Sequence, residues 1–233
     1  STAGVYVDSA FQTIEKTRVI ASPHHQQIVR LDRENREAIS KAVLTKLRDF
    51  ILSRLERFDG IVISDYGKGT VHDELLAALA ERLSKKQFIC VIDPKKENYD
   101  RYRFPTLITP NKNEASDAAG TPIDDERSLL AVGDRLVRKW RAKAVLVTRG
   151  QDGMSLFRPR RAVSHFPTEA RDVFDVTGAG DTVVAVCALA LACGASYSDA
   201  AVLANIAAGF VGDEMGTVAV AAEKLKHSIE EKL

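Results

Sequence analysis

The order of apolar and amphipathic segments predicts an α/β protein built on a mostly parallel sheet with helices on both faces. Three observations predict it. Short, continuous apolar runs recur at Ile61-Val62-Ile63, Phe88-Ile89-Cys90-Val91-Ile92, Leu107-Ile108 and Ala144-Val145-Leu146-Val147. They alternate with stretches whose apolar residues fall at helical spacing, over about 72–86, within 112–119 and over 126–140. Polar residues stand just after each run, at Asp65, Asp93, Asn111 and Thr148, on what would be the carboxyl edge of the sheet. In open α/β sheets that edge is where ligands bind.

Taken in chain order, residues 11–20 and 26–31 read as two strands joined by the turn-forming Ser22-Pro23-His24-His25. Helical spacing then runs from Ala38 to Leu55. After Asp59-Gly60 the period changes to the first apolar run, which leads into the loop Ser64-Asp65-Tyr66-Gly67-Lys68-Gly69. The second run ends in Asp93-Pro94-Lys95. In the last third, β-prone pieces at Ser155-Leu156-Phe157 and Ala162-Val163-Ser164-His165-Phe166 precede Asp172-Val173-Phe174-Asp175-Val176. An apolar helix follows to about Cys193, with Gly194 in the expected stop position. Another helix is expected from roughly Asp199 after the cap candidate Ser198, and a polar one from about Ala222. No repeat, low-complexity tract or Pro/Gly/Ser linker divides the chain.

Composition excludes several function classes. The 233 residues are 45% hydrophobic and 28% charged, which supports a core and excludes disorder as the main state. Lys+Arg 33 against Asp+Glu 32 gives a net charge of +1, so there is no electrostatic case for nucleic acid or an anionic membrane. No apolar run reaches the roughly 18 residues of a membrane span, and no basic-then-apolar leader opens the sequence. Cys90, Cys187 and Cys193 lie in apolar surroundings and read as buried small hydrophobes in a reducing compartment. The expectation is a soluble, cytoplasmic protein. Adjacent His24 and His25 cannot readily converge on one ion, and His72, His165 and His227 are scattered, so a zinc site is not expected. Trp140 and the sparse aromatics read as packing residues rather than a base-stacking platform.

The segment richest in chemistry is Asp175-Val176-Thr177-Gly178-Ala179-Gly180-Asp181-Thr182, between a strand and a helix. Two glycines allow a tight turn in which successive N–H groups face one concavity, and a helix N-terminus adds unpaired donors and a positive dipole end. That suits a phosphoryl group. Asp181 falls in the first helical turn, where a carboxylate can take a proton from an attacking hydroxyl. Alternatively the segment is an ordinary glycine turn with a first-turn acid. Two nucleotide signatures fail: Val183 stands at the third glycine of G-x-G-x-x-G, and Gly69 follows Gly67-Lys68 where a Walker A loop requires Ser or Thr.

Together with Thr109-Pro110-Asn111-Lys112-Asn113-Glu114, the Thr177-Gly178-Ala179-Gly180-Asp181 element resembles the ribokinase-type (PfkB) carbohydrate kinase family. Ser64-Asp65-Tyr66-Gly67-Lys68-Gly69, Asp93-Pro94-Lys95, Val147-Thr148-Arg149 and Gly153-Met154-Ser155-Leu156 resemble its heptose 7-phosphate kinase branch. The likeness runs through essentially the whole chain. It implies a ribokinase-like fold, ATP and Mg²⁺ as cofactors, and Asp181 as base for a sugar hydroxyl. Gly178, Ala179 and Gly180 would then present amides to the γ-phosphate. Asn111 and Glu114 would lie near the nucleotide phosphates and Mg²⁺, acting on the metal through water. Their i, i+3 spacing equally suits a helix cap and its capping-box partner, and the two roles are compatible. Thr148, Arg149 and Gly150 would follow a strand at the nucleotide end, with Asn205 and Gly209 on a helix beside the adenine.

For the sugar phosphate, Lys16, Arg18, Lys68 and Lys95 are candidate cations, with Lys68 favoured by its flanking glycines. Asp65 is a candidate acceptor for sugar hydroxyls, or else a turn-forming aspartate. The resemblance implies one kinase domain over 1–233, with residues 1–34 in a lid or sugar-side β region. Family members carry a further amino-terminal portion with the first strands and a Gly-Gly-Ala-Ala-Asn-type sugar loop. Neither is found here, so the domain is expected to be amino-terminally incomplete. Ser22-Pro23-His24-His25 before Gln26-Gln27, and Lys96 after Asp93-Pro94-Lys95, depart from the heptose pattern on the sugar side. The expected activity is ATP-dependent phosphorylation of the anomeric hydroxyl of D-glycero-β-D-manno-heptose 7-phosphate in ADP-heptose and lipopolysaccharide precursor synthesis. The alternatives are another sugar or nucleoside acceptor, or a non-catalytic nucleotide-binding fragment. The implied partners are a sugar-phosphate substrate and a second copy in a homodimer.

Overall fold

A computed structural model describes residues 1–21, 26–34, 37–85, 88–169, 178–212 and 219–230. The chain divides into two compact units, Ser1–Arg54 and Leu55–Leu233. In the first, β1 (Glu15–Ala21) and β2 (Gln26–Arg33) form an antiparallel ribbon with an irregularity between Val19 and Ile20. β1 begins later than the apolar pattern suggests, because Glu15 already pairs with Arg33, the last residue of β2, and residues before it have no opposite number. Cross-strand charges match: Arg33 bonds Glu15 at 3.1 Å and Lys16 lies 3.6 Å from Asp32. Helix α1 (Lys41–Arg54) follows Ser40, whose side chain accepts the amide of Val43 and whose own amide donates to Asp8. That cap explains why the helix starts after Ala38.

The second unit holds a six-stranded mixed sheet in the order β3 (Gly60–Ser64), β4 (Ile89–Asp93), β5 (Leu107–Ile108), β6 (Val145–Thr148), β7 (Met154–Phe157) and β8 (Ser164–Phe166). β3 to β6 are parallel, as the continuous apolar runs require, and β7 and β8 add antiparallel strands. Around it lie α2 (Asp73–Lys85), α3 (Lys112–Ala119), α4 (Glu126–Trp140), α5 (Ala179–Ala192), α6 (Tyr197–Gly212) and α7 (Ala222–Glu230). One face of the sheet buries Val91, Leu107, Leu146 and Leu156 against Val183, Val184 and Cys187 of α5 and Ala200, Ala201 and Ala204 of α6. Phe157, one residue on from Leu156, points the other way and meets α4 at Gly133. Helices therefore cover both faces.

Helix ends follow capping chemistry. Asp125 and Ser128 form a capping box at the start of α4, and Gly120, at φ 65, closes α3. The cap of α6 is Ser196 rather than Ser198: its hydroxyl accepts the amide of Asp199 at 3.1 Å and donates to the Asp199 carboxylate at 2.7 Å. This cap sets the start of α6 two residues before the sequence expectation. Cys90 and Cys187 are buried, but Cys193 is exposed, because it stands one residue past α5 where the buried stripe has ended. The expected strand at Asp172–Val176, Thr177 and the Ser22–His25 turn lie outside the described residues. Among the described residues no helix is long and apolar enough to cross a membrane.

Gly133 sits in the middle of α4, where alanine would ordinarily gain about 1 kcal/mol of helix propensity. Here a Cβ would run into the ring of Phe157, itself 3% exposed. Overpacking of a filled core costs about 1–3 kcal/mol and outweighs that gain. Gly133→Ala should therefore lower the urea midpoint, and adding Phe157→Leu should cost less than the sum of the two single changes.

Candidate active site

The strand alternation of β3 continues past its end, so Ser64 and Tyr66 face outward while Asp65 points inward. Asp65 is 3% exposed and its carboxylate is fully engaged. One oxygen accepts the Gly67 amide at 2.8 Å; the other accepts the Tyr102 hydroxyl at 2.6 Å and the Asn98 side-chain amide at 2.7 Å. Tyr102 also accepts the backbone amide of Lys95 at 2.9 Å. Burial, then the bond to Asp65, raise the Tyr102 phenol, which keeps it a donor. Asp65 thus braces the loop with an inward-turned carboxylate, the turn-forming one of its two expected roles. Gly67 has φ 65, a backbone conformation that favours glycine, and a Cβ there would also displace the Glu97 carboxylate.

Outward-facing Ser64 and Tyr66 both reach Asp181. The Ser64 hydroxyl donates to one carboxylate oxygen at 3.2 Å, and the Tyr66 hydroxyl to the two oxygens at 3.3 and 3.0 Å. Asp181 lies in the first turn of α5 behind Gly178, which has φ 87 and supplies no side-chain cap. The first bond of this helix runs from the Thr182 amide to the Gly178 carbonyl, at 2.9 Å. The amides of Ala179, Gly180 and Asp181 precede it and have no partner within the helix. Nothing lies within 4 Å of a Cβ placed on Gly180. An anion fits this opening.

A second carboxylate group flanks it. Asp93, at the end of β4, is pushed up to about 7, first by burial and then by the charges of Glu114 and Asp181, with Lys95 opposing. Lys95 donates to one oxygen of Glu114 at 3.0 Å. The other Glu114 oxygen accepts the Asn111 amide at 3.0 Å, while the Asn111 side chain accepts the Glu114 amide at 2.9 Å. Asn111 and Glu114 therefore form the capping box that opens α3. Among the described residues no three His, Cys, Asp or Glu are arranged to hold a metal ion directly. Hard oxygen donors crowded enough to raise Asp93 do suit a hydrated Mg²⁺ held chiefly through phosphates and water.

Beside these groups lies a cavity of about 560 Å³. Its lining brings together Asn111, Thr148, Arg149, Gly150, Ala179, Gly180, Asn205 and Gly209, from four separate stretches of sequence. Asn205 also donates to the Pro167 carbonyl at 2.5 Å and so ties α6 to the exit of β8. Asp181 and Glu114 sit outside the lining. Lys68 is half-buried on the 64–69 loop, and Arg18 is exposed on β1 in the first unit, paired across the ribbon with Arg30. Sequence reading missed Gln151, Met154, Thr168, Val183 and Ala208, which also line the cavity. Met154 belongs to the Gly153–Leu156 motif, which carries no site role by itself, and the antiparallel pairing of β7 with β8 is what brings Met154 and Thr168 to the wall.

The Asp93 shift has a stability consequence with a definite sign. Its folded value of about 7 lies above the ordinary 3.8, so the folded state holds the proton more tightly. Stability is full below about 4, declines as pH rises through 7, and levels off above that. Urea midpoints of the unchanged chain should therefore fall between pH 5 and pH 8. Asp93→Asn should flatten that decline, and an equal decline in both chains would refute it.

The profile of the pfkB family carbohydrate kinases matches residues 2–224. The bifunctional protein HldE of Geobacter metallireducens is 47% identical over 218 residues, covering 94% of this chain and 44% of that protein. The HldE of Desulfatibacillum aliphaticivorans is 40% identical over 232 residues, covering 100% of this chain and 47% of that protein. The chain thus spans about half the length of the curated relatives it matches. Among solved structures, phosphofructokinase-2 from Escherichia coli in complex with potassium superposes with a TM-score of 0.78 at 20% identity, covering 91% of this chain and 68% of that one. Ribokinase from Thermotoga maritima gives 0.69 at 19% identity, covering 94% and 70%. These two likenesses show a ribokinase-like fold. On the extent of the profile match and the identity to its relatives, the chain belongs to the pfkB family of carbohydrate kinases.

Proposed function

We propose that this chain transfers the γ-phosphoryl group of ATP to the anomeric hydroxyl of D-glycero-β-D-manno-heptose 7-phosphate, giving the 1,7-bisphosphate and ADP. The observation that carries the proposal is the N-terminus of α5, whose first three amides have no partner within the helix, with Asp181 in its first turn and the cavity against Ala179 and Gly180. The Ser-Asp-Tyr-Gly-Lys-Gly loop over that carboxylate supports the heptose acceptor, as does identity to proteins named bifunctional, of which this chain matches slightly less than half.

In this reading the cavity receives the nucleoside. Asn205 and Gly209 face the base, and Thr148, Arg149 and Gly150 line the same wall. The amides of α5 meet the transferring phosphoryl group where negative charge accumulates. Asp181 takes the proton of the sugar hydroxyl as its oxygen bonds to phosphorus and the bond to the ADP oxygen breaks. Mg²⁺, when bound, would neutralise phosphate charge, with Asn111, Glu114 and Asp93 holding it through water. Lys68 and Lys95 stand on the loops that would meet the sugar phosphate. Catalysis is then mainly positioning and charge stabilisation.

Asp181→Asn should lower sugar-dependent ADP release by about a hundredfold or more while ATP affinity changes by less than about threefold. Release should be compared with heptose 7-phosphate, fructose 6-phosphate, ribose and no sugar. Faster turnover with fructose 6-phosphate or ribose would move the acceptor away from heptose, and near-normal turnover of the variant would remove Asp181 from the chemistry.

A further inference from the structure

The Ser64–Gly69 loop contributes more to the site than its aspartate and lysine, the two residues that sequence reading singles out. Asp65 is fixed by donors from Gly67, Asn98 and Tyr102, so the residues on either side of it are fixed in direction. Because successive side chains of an extended segment alternate, an anchored Asp65 obliges Ser64 and Tyr66 to share the opposite face. Both hydroxyls on that face end on one carboxylate, 115 and 117 residues away in sequence. Tyr66 leaves 61% of its surface in solvent, so its side chain is held there by this polar contact rather than by burial in a core.

We propose that Ser64 and Tyr66 are positioning residues that hold the Asp181 carboxylate in its reactive orientation. The inference rests on the reading of Asp181 as the base. Asp181 is exposed, so among the described residues packing against a core does not restrain its side chain. Two donors on one rigid segment supply that restraint. A carboxylate has about four lone-pair positions, and these two hydroxyls leave room for a substrate hydroxyl. Tyr66 remains a donor across the working range, because burial and then Asp181 raise its phenol; Asp93 adds to the effect, and the Ser64 hydroxyl opposes it.

Two measurements on the full chain test this. The first needs no turnover. With tyrosine labelled at Cζ by ¹³C, the Tyr66 resonance, assigned by its loss in Tyr66→Phe, is titrated in the unchanged chain and in Asp181→Asn. Loss of the carboxylate should bring the phenol down toward its ordinary value, and an unchanged titration would show that the contact is not made and overturn the proposal. The second measurement is kinetic. Tyr66→Phe should lower kcat about tenfold and Ser64→Ala by a smaller factor, with the KM for ATP within about twofold and Ser64→Thr restoring the loss. In an Asp181→Asn background neither change should reduce residual turnover further. Full kcat in Tyr66→Phe and Ser64→Ala, beside an inactive Asp181→Asn, would overturn positioning while leaving the base assignment. An active Asp181→Asn would instead refute the base, and positioning of it with it.

Discussion

A buried carboxylate sets the layout of the site. Removing Asp65 from water is costly unless its oxygens find donors, and an uncompensated buried charge is among the most damaging faults a fold can carry. Its donors come from the loop it starts, at Gly67, and from the segment after β4, at Asn98 and Tyr102. One side chain therefore ties the β3–α2 loop to the β4–β5 connection. Tyr102 passes the constraint on by accepting the Lys95 amide, which aims Lys95 at Glu114. The Trp140 indole completes the support from beneath, donating to the Tyr99 carbonyl at 2.8 Å with its ring against Tyr99 and Tyr102. None of these residues lines the cavity, yet the placement of the polar groups beside it follows from them.

How far the sequence reveals this depends on the range of the interaction. The parallel part of the sheet is legible because β4 and β6 are apolar along almost their whole length, a local property. The lining of the cavity is legible as far as it rests on strand ends and helix starts, as with Asn111, Thr148 and Gly180. Met154 and Thr168 are not legible in this way, because they reach the wall through the pairing of β7 with β6 and β8, and pairing partners are not written in any one segment. The cap of α6 differs from the expectation for a smaller reason: Ser196 and Ser198 are both good cap residues, and Asp199, three residues beyond Ser196, bonds the Ser196 hydroxyl through both its amide and its carboxylate.

Asp65 shows the same limit from the other side. An aspartate in a glycine-rich loop at the ligand edge suits a sugar hydroxyl and a turn equally well. What decides its orientation is a tyrosine and an asparagine more than thirty residues away. The motif around it is better understood as a unit: an inward anchor at Asp65, two outward hydroxyls at Ser64 and Tyr66, and glycines at Gly67 and Gly69 that allow the positive φ of the turn.

Electrostatics then explains why the site contains its own counter-charges. Asp93, Glu114 and Asp181 are close enough that the charges of the other two raise Asp93, and together they would repel a polyphosphate. Lys95 offsets part of this by pairing with Glu114, and Asp93 offsets more by keeping its proton up to near neutral pH. The leading amides of α5, which have no partner within the helix, face the same region with the positive end of a helix dipole. A cation arriving with a nucleotide would favour the ionised form of Asp93 and compete with Lys95 for Glu114. On the proposed function, release of Lys95 from Glu114 would free an ammonium on the loop after β4, and the arrival of a cation and the charge offered to a sugar phosphate would be coupled through that ion pair.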